Sequence, residues 1–81
     1  MATLNVTYQG RSADLPQEVR FRTPLADLRR IAYEALQSGG SPALARRGTL
    51  PKNAFREFVV DRFENSGGPD RVYLRPKVPF G

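Results

Sequence analysis

The chain contains no cysteine and no histidine. The first absence removes disulfides, thiolate nucleophiles and sulfur-ligated metals, and it fits a reducing compartment. The second removes the usual general base and the commonest metal ligand. Lysine is scarce as well: Lys52 and Lys77 are the only two in a basic complement otherwise made of arginine. No apolar run approaches the roughly 20 residues needed to span a bilayer. The opening "MATLNVTYQG" lacks the basic flank and apolar core of a signal peptide. These absences lead to the expectation of a soluble cytoplasmic protein with no metal and no cofactor of its own.

What is present suits one small domain. At 81 residues, burial only just offsets chain entropy. A hydrophobic content of 40 % with 10 % aromatics supports one compact core rather than a disordered chain. The formal net charge of +5 suggests an acidic partner, either nucleic acid or an acidic protein face. Arginine-rich coding also arises from genome composition alone.

Hydropathy patterning predicts the order ββαββ. "TLNVTY" alternates, with Leu4, Val6 and Tyr8 on one side and Thr3, Asn5 and Thr7 on the other. Gln9-Gly10-Arg11-Ser12 has turn chemistry. A second run places Ala13, Leu15, Val19 and Phe21 on one face, and Pro16, which cannot donate a ladder hydrogen bond, assigns it to the sheet edge. "RTPLADLRRIAYEALQSGG" reads as a helix, with Thr23 as N-cap, Pro24 at the first helical position and Asp27 in the positively polarised first turns. Leu25, Leu28, Ile31, Ala32, Ala35 and Leu36 form its apolar stripe, with Arg29, Arg30, Glu34 and Gln37 away from it. Gly39 and Gly40 supply the left-handed stop.

Residues 41–53 form a connector with Pro42 and Pro51 near its ends, and "SPALARRG" within it suits one short helical turn. Phe58, Val59 and Val60 resemble a strand entering a hairpin with the loop "ENSGGPD". Helical spacing of Phe55, Phe58, Val59 and Phe63 fits a helix from Asn53 equally well, so periodicity does not separate the two. β-Branched and aromatic content favours the strand. The last run alternates Val72 and Leu74 with Arg71, Tyr73 and Arg75. A single amphipathic helix must bury its stripe, and a four-stranded sheet is the only large partner. The fold class expected is α+β, a mixed sheet with one helix on one face and a solvated opposite face.

This order, together with "RFRTPLADLRRIA" and the ending "RVYLRPKVPFG", resembles the bacterial ubiquitin-like proteins of the β-grasp fold. The resemblance implies one domain over residues 1–75, an extended tail over residues 76–81, and first and last strands side by side and parallel. It also implies a protein modifier whose C-terminal Gly81 carboxylate is activated by a separate ATP-dependent enzyme and joined to a target protein. The family typically ends in two glycines, whereas Phe80 precedes Gly81 here.

Glycine suits such an end because no Cβ obstructs a narrow active site. Pro76 and Pro79 hold the segment extended, lowering the entropy lost on threading. Pro76, Lys77, Val78, Pro79 and Phe80 are thus the expected recognition residues of the tail. The chain itself reads as a non-enzyme. Its carboxylates (Asp14, Glu18, Asp27, Glu34, Glu57, Asp61, Glu64 and Asp70) are scattered, and "NSGGPD" and "SGGSP" do not follow the phosphate-loop pattern.

The alternative is a non-catalytic interaction module of the same fold. Arg71, Tyr73, Arg75 and Lys77 project from one face of the last strand, and Arg20 and Arg22 share a face of the second. If the first group faces solvent, it forms a basic stripe with one aromatic. That stripe suits an acidic protein surface and, less well, the phosphates and bases of nucleic acid. Arg29-Arg30 and Arg46-Arg47 read as solvated surface. No membrane partner is expected, and the chain is expected to be a monomer.

Overall fold

A computed structural model describes residues 1–39 and 50–77. β1 (Ala2–Tyr8) and β2 (Arg11–Val19) form an antiparallel hairpin. Its turn is narrower than the four residues expected, because Tyr8 pairs with Arg11 and only Gln9 and Gly10 lie between. Both adopt positive φ, 52° and 79°, the left-handed pair that matches the twist of hairpin strands.

Pro16 lies in an irregular stretch of the β1–β2 ladder. Thr3 pairs with Glu18 and Asn5 with Asp14, so residues 15–17 stand opposite Leu4 alone. The bulge accommodates a residue without an N–H. Because two extra residues preserve strand parity, Leu15 and Val19 both reach the core. Phe21 packs against that core from beyond the end of β2, and Arg20 and Arg22 also lie past Val19, outside the strand on which they were expected.

α1 spans Leu25–Gln37, and its N-cap is Pro24 rather than Thr23. The Thr23 hydroxyl donates instead to the Arg20 carbonyl at 2.7 Å, as does its backbone N–H at 3.0 Å. The hydroxyl that would cap the helix is thus spent on the preceding turn. Pro24 still suits this boundary, since its carbonyl accepts from the Asp27 and Leu28 amides and its missing N–H would be an orphan in any case. The helix ends on Ser38, followed by Gly39 at φ 74°. Gly40 and the "SPALARRG" turn lie outside the described residues.

Residues 51–57 fold as successive tight turns before β3 (Phe58–Phe63), which pairs with β4 (Asp70–Pro76). The strand assignment for "FVV" therefore holds, and the helical spacing of Phe55 and Phe58 belongs to a turn that leads into it. Pro76 is the last residue of β4, paired with Phe58, so the sheet reaches one residue further than expected.

The sheet order is β2-β1-β4-β3, with β1 and β4 parallel and the other neighbours antiparallel. This α+β arrangement of one helix and a four-stranded mixed sheet is compatible with a β-grasp-like layout. Leu4, Val6, Val72 and Leu74 are fully buried with Leu28 and Ala32 of α1, so the helix covers one sheet face. Leu50 joins them from the connector. Its N–H donates to Gln37 Oε1 at 3.2 Å, and its carbonyl accepts from Tyr33 Oη at 3.3 Å. No helix among the described residues is long and apolar enough to cross a membrane.

Candidate functional site

The parity that buries Val72 and Leu74 turns Arg71, Tyr73 and Arg75 to the opposite, open face of β4. Register brings the other strands to them. Arg71 lies between Thr3 of β1 and Phe63 of β3, and Tyr73 between Asn5 and Asp61. Asp14 of β2 stands next to Asn5 in the same row. The three residues singled out in the sequence are therefore brought together, as expected.

Their electrostatics differ from the expected basic stripe. Arg71 Nη2 donates to Asp14 Oδ1 at 2.7 Å, and Arg75 Nε donates to Asp61 Oδ2 at 2.5 Å. Each arginine of the face is matched by a carboxylate from a different strand, so the face is a set of cross-strand charge pairs. The sequence alternation placed the arginines correctly, but only the strand register shows which acids stand beside them. Asp14 also accepts from Asn5 Nδ2 at 3.0 Å. The Asn5 hydrogen bond, reinforced by the Arg71 bond and charge, holds the Asp14 carboxyl below its ordinary range against the opposing effect of burial. The Arg71 guanidinium is correspondingly pushed up, first by its bond to Tyr73 and then by Asp14.

A second aromatic completes the face. Phe63 is 56 % exposed, and its ring meets Tyr73 edge-on with centroids 5.6 Å apart. Arg71 covers the Tyr73 ring at 5.3 Å from the centroid and donates to its hydroxyl at 2.9 Å. Phe63 belongs to the face because Val59, Asp61 and Phe63 alternate outward along β3. That signal was present in the sequence but masked by the rival helical spacing.

Of the expected tail, Pro76 closes β4 and Lys77 is exposed beyond it, its amide donating to the Glu57 carbonyl at 3.3 Å. Val78, Pro79, Phe80 and Gly81 lie outside the described residues. Arg29 is not the solvated residue expected, since Nη2 donates to the Phe58 carbonyl at 3.0 Å and ties α1 to β3. Arg30 is exposed, as expected, and lies near Asp27 and Glu34. Arg46 and Arg47 are outside the described residues. No group of three histidine, cysteine or acidic residues that could hold a metal occurs among the described residues.

Chemically, the face offers paired charges, two aromatic rings and amide and hydroxyl groups. It is suited to recognition. Comparison of the chain with protein families, with curated proteins and with solved structures finds no match in any of the three.

Proposed function

We propose that this chain is a ubiquitin-like protein modifier, with Gly81 as the residue through which it is joined to its target. The observation that carries the reading is the parallel pairing of the first strand with the last at the centre of the sheet. With the ββαββ order and one helix over one face, this is the layout that the resemblance implies.

The chemistry belongs to a partner enzyme. A Gly81 carboxylate oxygen attacks the α-phosphate of ATP, pyrophosphate leaves, and an acyl-adenylate forms. A target amine then attacks the acyl carbon and loses a proton as AMP departs, directly or after transfer through the enzyme. This chain contributes a narrow acyl terminus and surfaces that the enzyme recognises. Phe80 is the side chain the enzyme must accommodate where the family typically has glycine.

The test is to express the chain in its native cells with an N-terminal epitope tag. Higher-mass adducts should appear with the wild type and vanish when Gly81 is deleted, while the fold is unchanged. Intact mass measurement of the free protein should find Gly81 at its end. Adducts that survive the deletion would contradict the reading.

A second reading is a non-catalytic interaction module that binds a protein through the open face, and exposed Phe63 beside Tyr73 favours it. Since Asp14 and Asp61 offset Arg71 and Arg75, an apolar contact on the two rings is a better basis for binding than net positive charge. The nucleic-acid version correspondingly loses support.

A further inference from the structure

A groove of about 490 Å³ opens between α1 and the turns that precede β3, on the helix side of the molecule. One wall carries Arg29, Arg30 and Tyr33 of α1, and the other carries Lys52, Asn53, Phe55 and Arg56. Four of these residues are cationic and none is acidic, and the aromatic part of the lining is the half-buried Tyr33 with the almost fully buried Phe55. Lys52 and Arg56 are exposed and make no ion pair among the described residues. Arg30 is partly offset by Asp27 at 3.5 Å and Glu34 at 3.9 Å. Arg29 is fixed by the Phe58 carbonyl, and its Nε is buried with no hydrogen-bond partner among the described residues. A desolvated donor of this kind has lost water without compensation.

We propose that this groove binds an acidic peptide segment of a partner protein, with one apolar side chain against Tyr33 and flanking carboxylates on the cationic rim. Charge complementarity selects the acidic partner. The shape and donor set favour a peptide over a phosphate ligand. Arginine and lysine side chains can hold phosphate by themselves, but no backbone nest adds to them from Ala54, Arg56 and Phe58, whose amides are taken by the Pro51, Asn53 and Phe55 carbonyls, and phosphate would leave the aromatic lining unused. For reading a base edge the described lining offers the Asn53 amide and the Tyr33 hydroxyl, and the hydroxyl already donates to the Leu50 carbonyl. The site is separate from the open sheet face and does not depend on the chemistry of Gly81.

The experiment titrates the isotope-labelled full chain with an acetylated, amidated Asp-Asp-Leu-Asp-Asp peptide and follows backbone amide shifts. Shifts should cluster at residues 29–33 and 52–56. Replacing the leucine by serine should weaken binding several-fold. The double variant K52E/R56E should weaken it by about tenfold or more, while its thermal midpoint stays near that of the wild type because both side chains are exposed. Phe63→Ala should leave the affinity unchanged. The proposal is overturned by an absence of shifts at millimolar peptide, by shifts confined to the sheet face, or by an affinity that the double variant does not alter. Equal binding of inorganic phosphate or of oligothymidylate at the same residues would also overturn it.

Discussion

Asp14 is held as a carboxylate by two neighbours, the Asn5 amide and the Arg71 guanidinium, and this has a consequence in acid. Its folded pKa lies below the unfolded value. The stabilisation is therefore fully present above the ordinary aspartate range, near pKa ~3.9, and is lost as pH falls through the lower folded value. The affected window is below about pH 4, and screening at this half-exposed pair keeps the effect small. Asp14→Asn should accordingly lower the urea midpoint at pH 6 and approach the wild type near pH 2.5. A difference between the two proteins that is constant from pH 6 to 2.5 would show that the ionised pair contributes nothing to stability.

Residue roles were legible where a strand's parity decides them. Arg71, Tyr73 and Arg75 were assigned to one face by alternation alone. Their partners were not, because Asp14 and Asp61 come from other strands and register is a tertiary property. Arg29 and Arg62 escaped for the same reason. Arg62 stands opposite Val72 on the helix side, and its guanidinium donates to the Phe21 and Thr23 carbonyls. A charged, exposed residue on the helix-side face of β3 thereby ties that strand to the loop before α1.

At the scale of the element, α1 was the most legible part of the chain. Its stripe meets the sheet through Leu28, Ala32 and Leu36, all buried. Leu28→Ala should cost about 2–5 kcal/mol, read as a shift of the urea midpoint with the slope retained. A cost below about 1 kcal/mol would mean that the helix does not share the sheet's core. Helix start and turn width are less legible, because the Thr23 hydroxyl has two competing uses and the β1–β2 turn has two possible lengths. Tyr33 and Gln37 clamp Leu50 through side chains of the helix's more polar surface, a long-range contact that no local pattern announces. Pro16 signals the edge position that β2 occupies, whereas the bulge at residues 15–17 depends on the register with β1.

At the scale of the whole molecule, the net charge of +5 invites a nucleic-acid reading that the pairing of Arg71 and Arg75 weakens. Phosphate binding releases counterions, so it falls steeply with salt. No tight binding to generic DNA or RNA is expected at physiological ionic strength, and Arg71→Ala with Arg75→Ala should change little in such an assay. Nanomolar, salt-sensitive binding lost in that double variant would restore the nucleic-acid reading. The α+β class was legible because one amphipathic helix needs a sheet to cover, whereas the parallel pairing of β1 with β4 entered only through the resemblance, and a function proposed for the terminus leaves only a tail to read.

The most direct test of the modifier proposal is a search for its tryptic remnant on other proteins. Trypsin cuts poorly at Arg75 because Pro76 follows, but it should cut after Lys77. A target lysine joined to Gly81 should then retain a Val-Pro-Phe-Gly branch, residues 78–81. Mass spectrometry of native cells expressing the chain should find that branch on target lysines and lose it when Gly81 is deleted. No branch in cells where the activating enzyme is demonstrably at work, or a branch that persists after the deletion, would contradict the account.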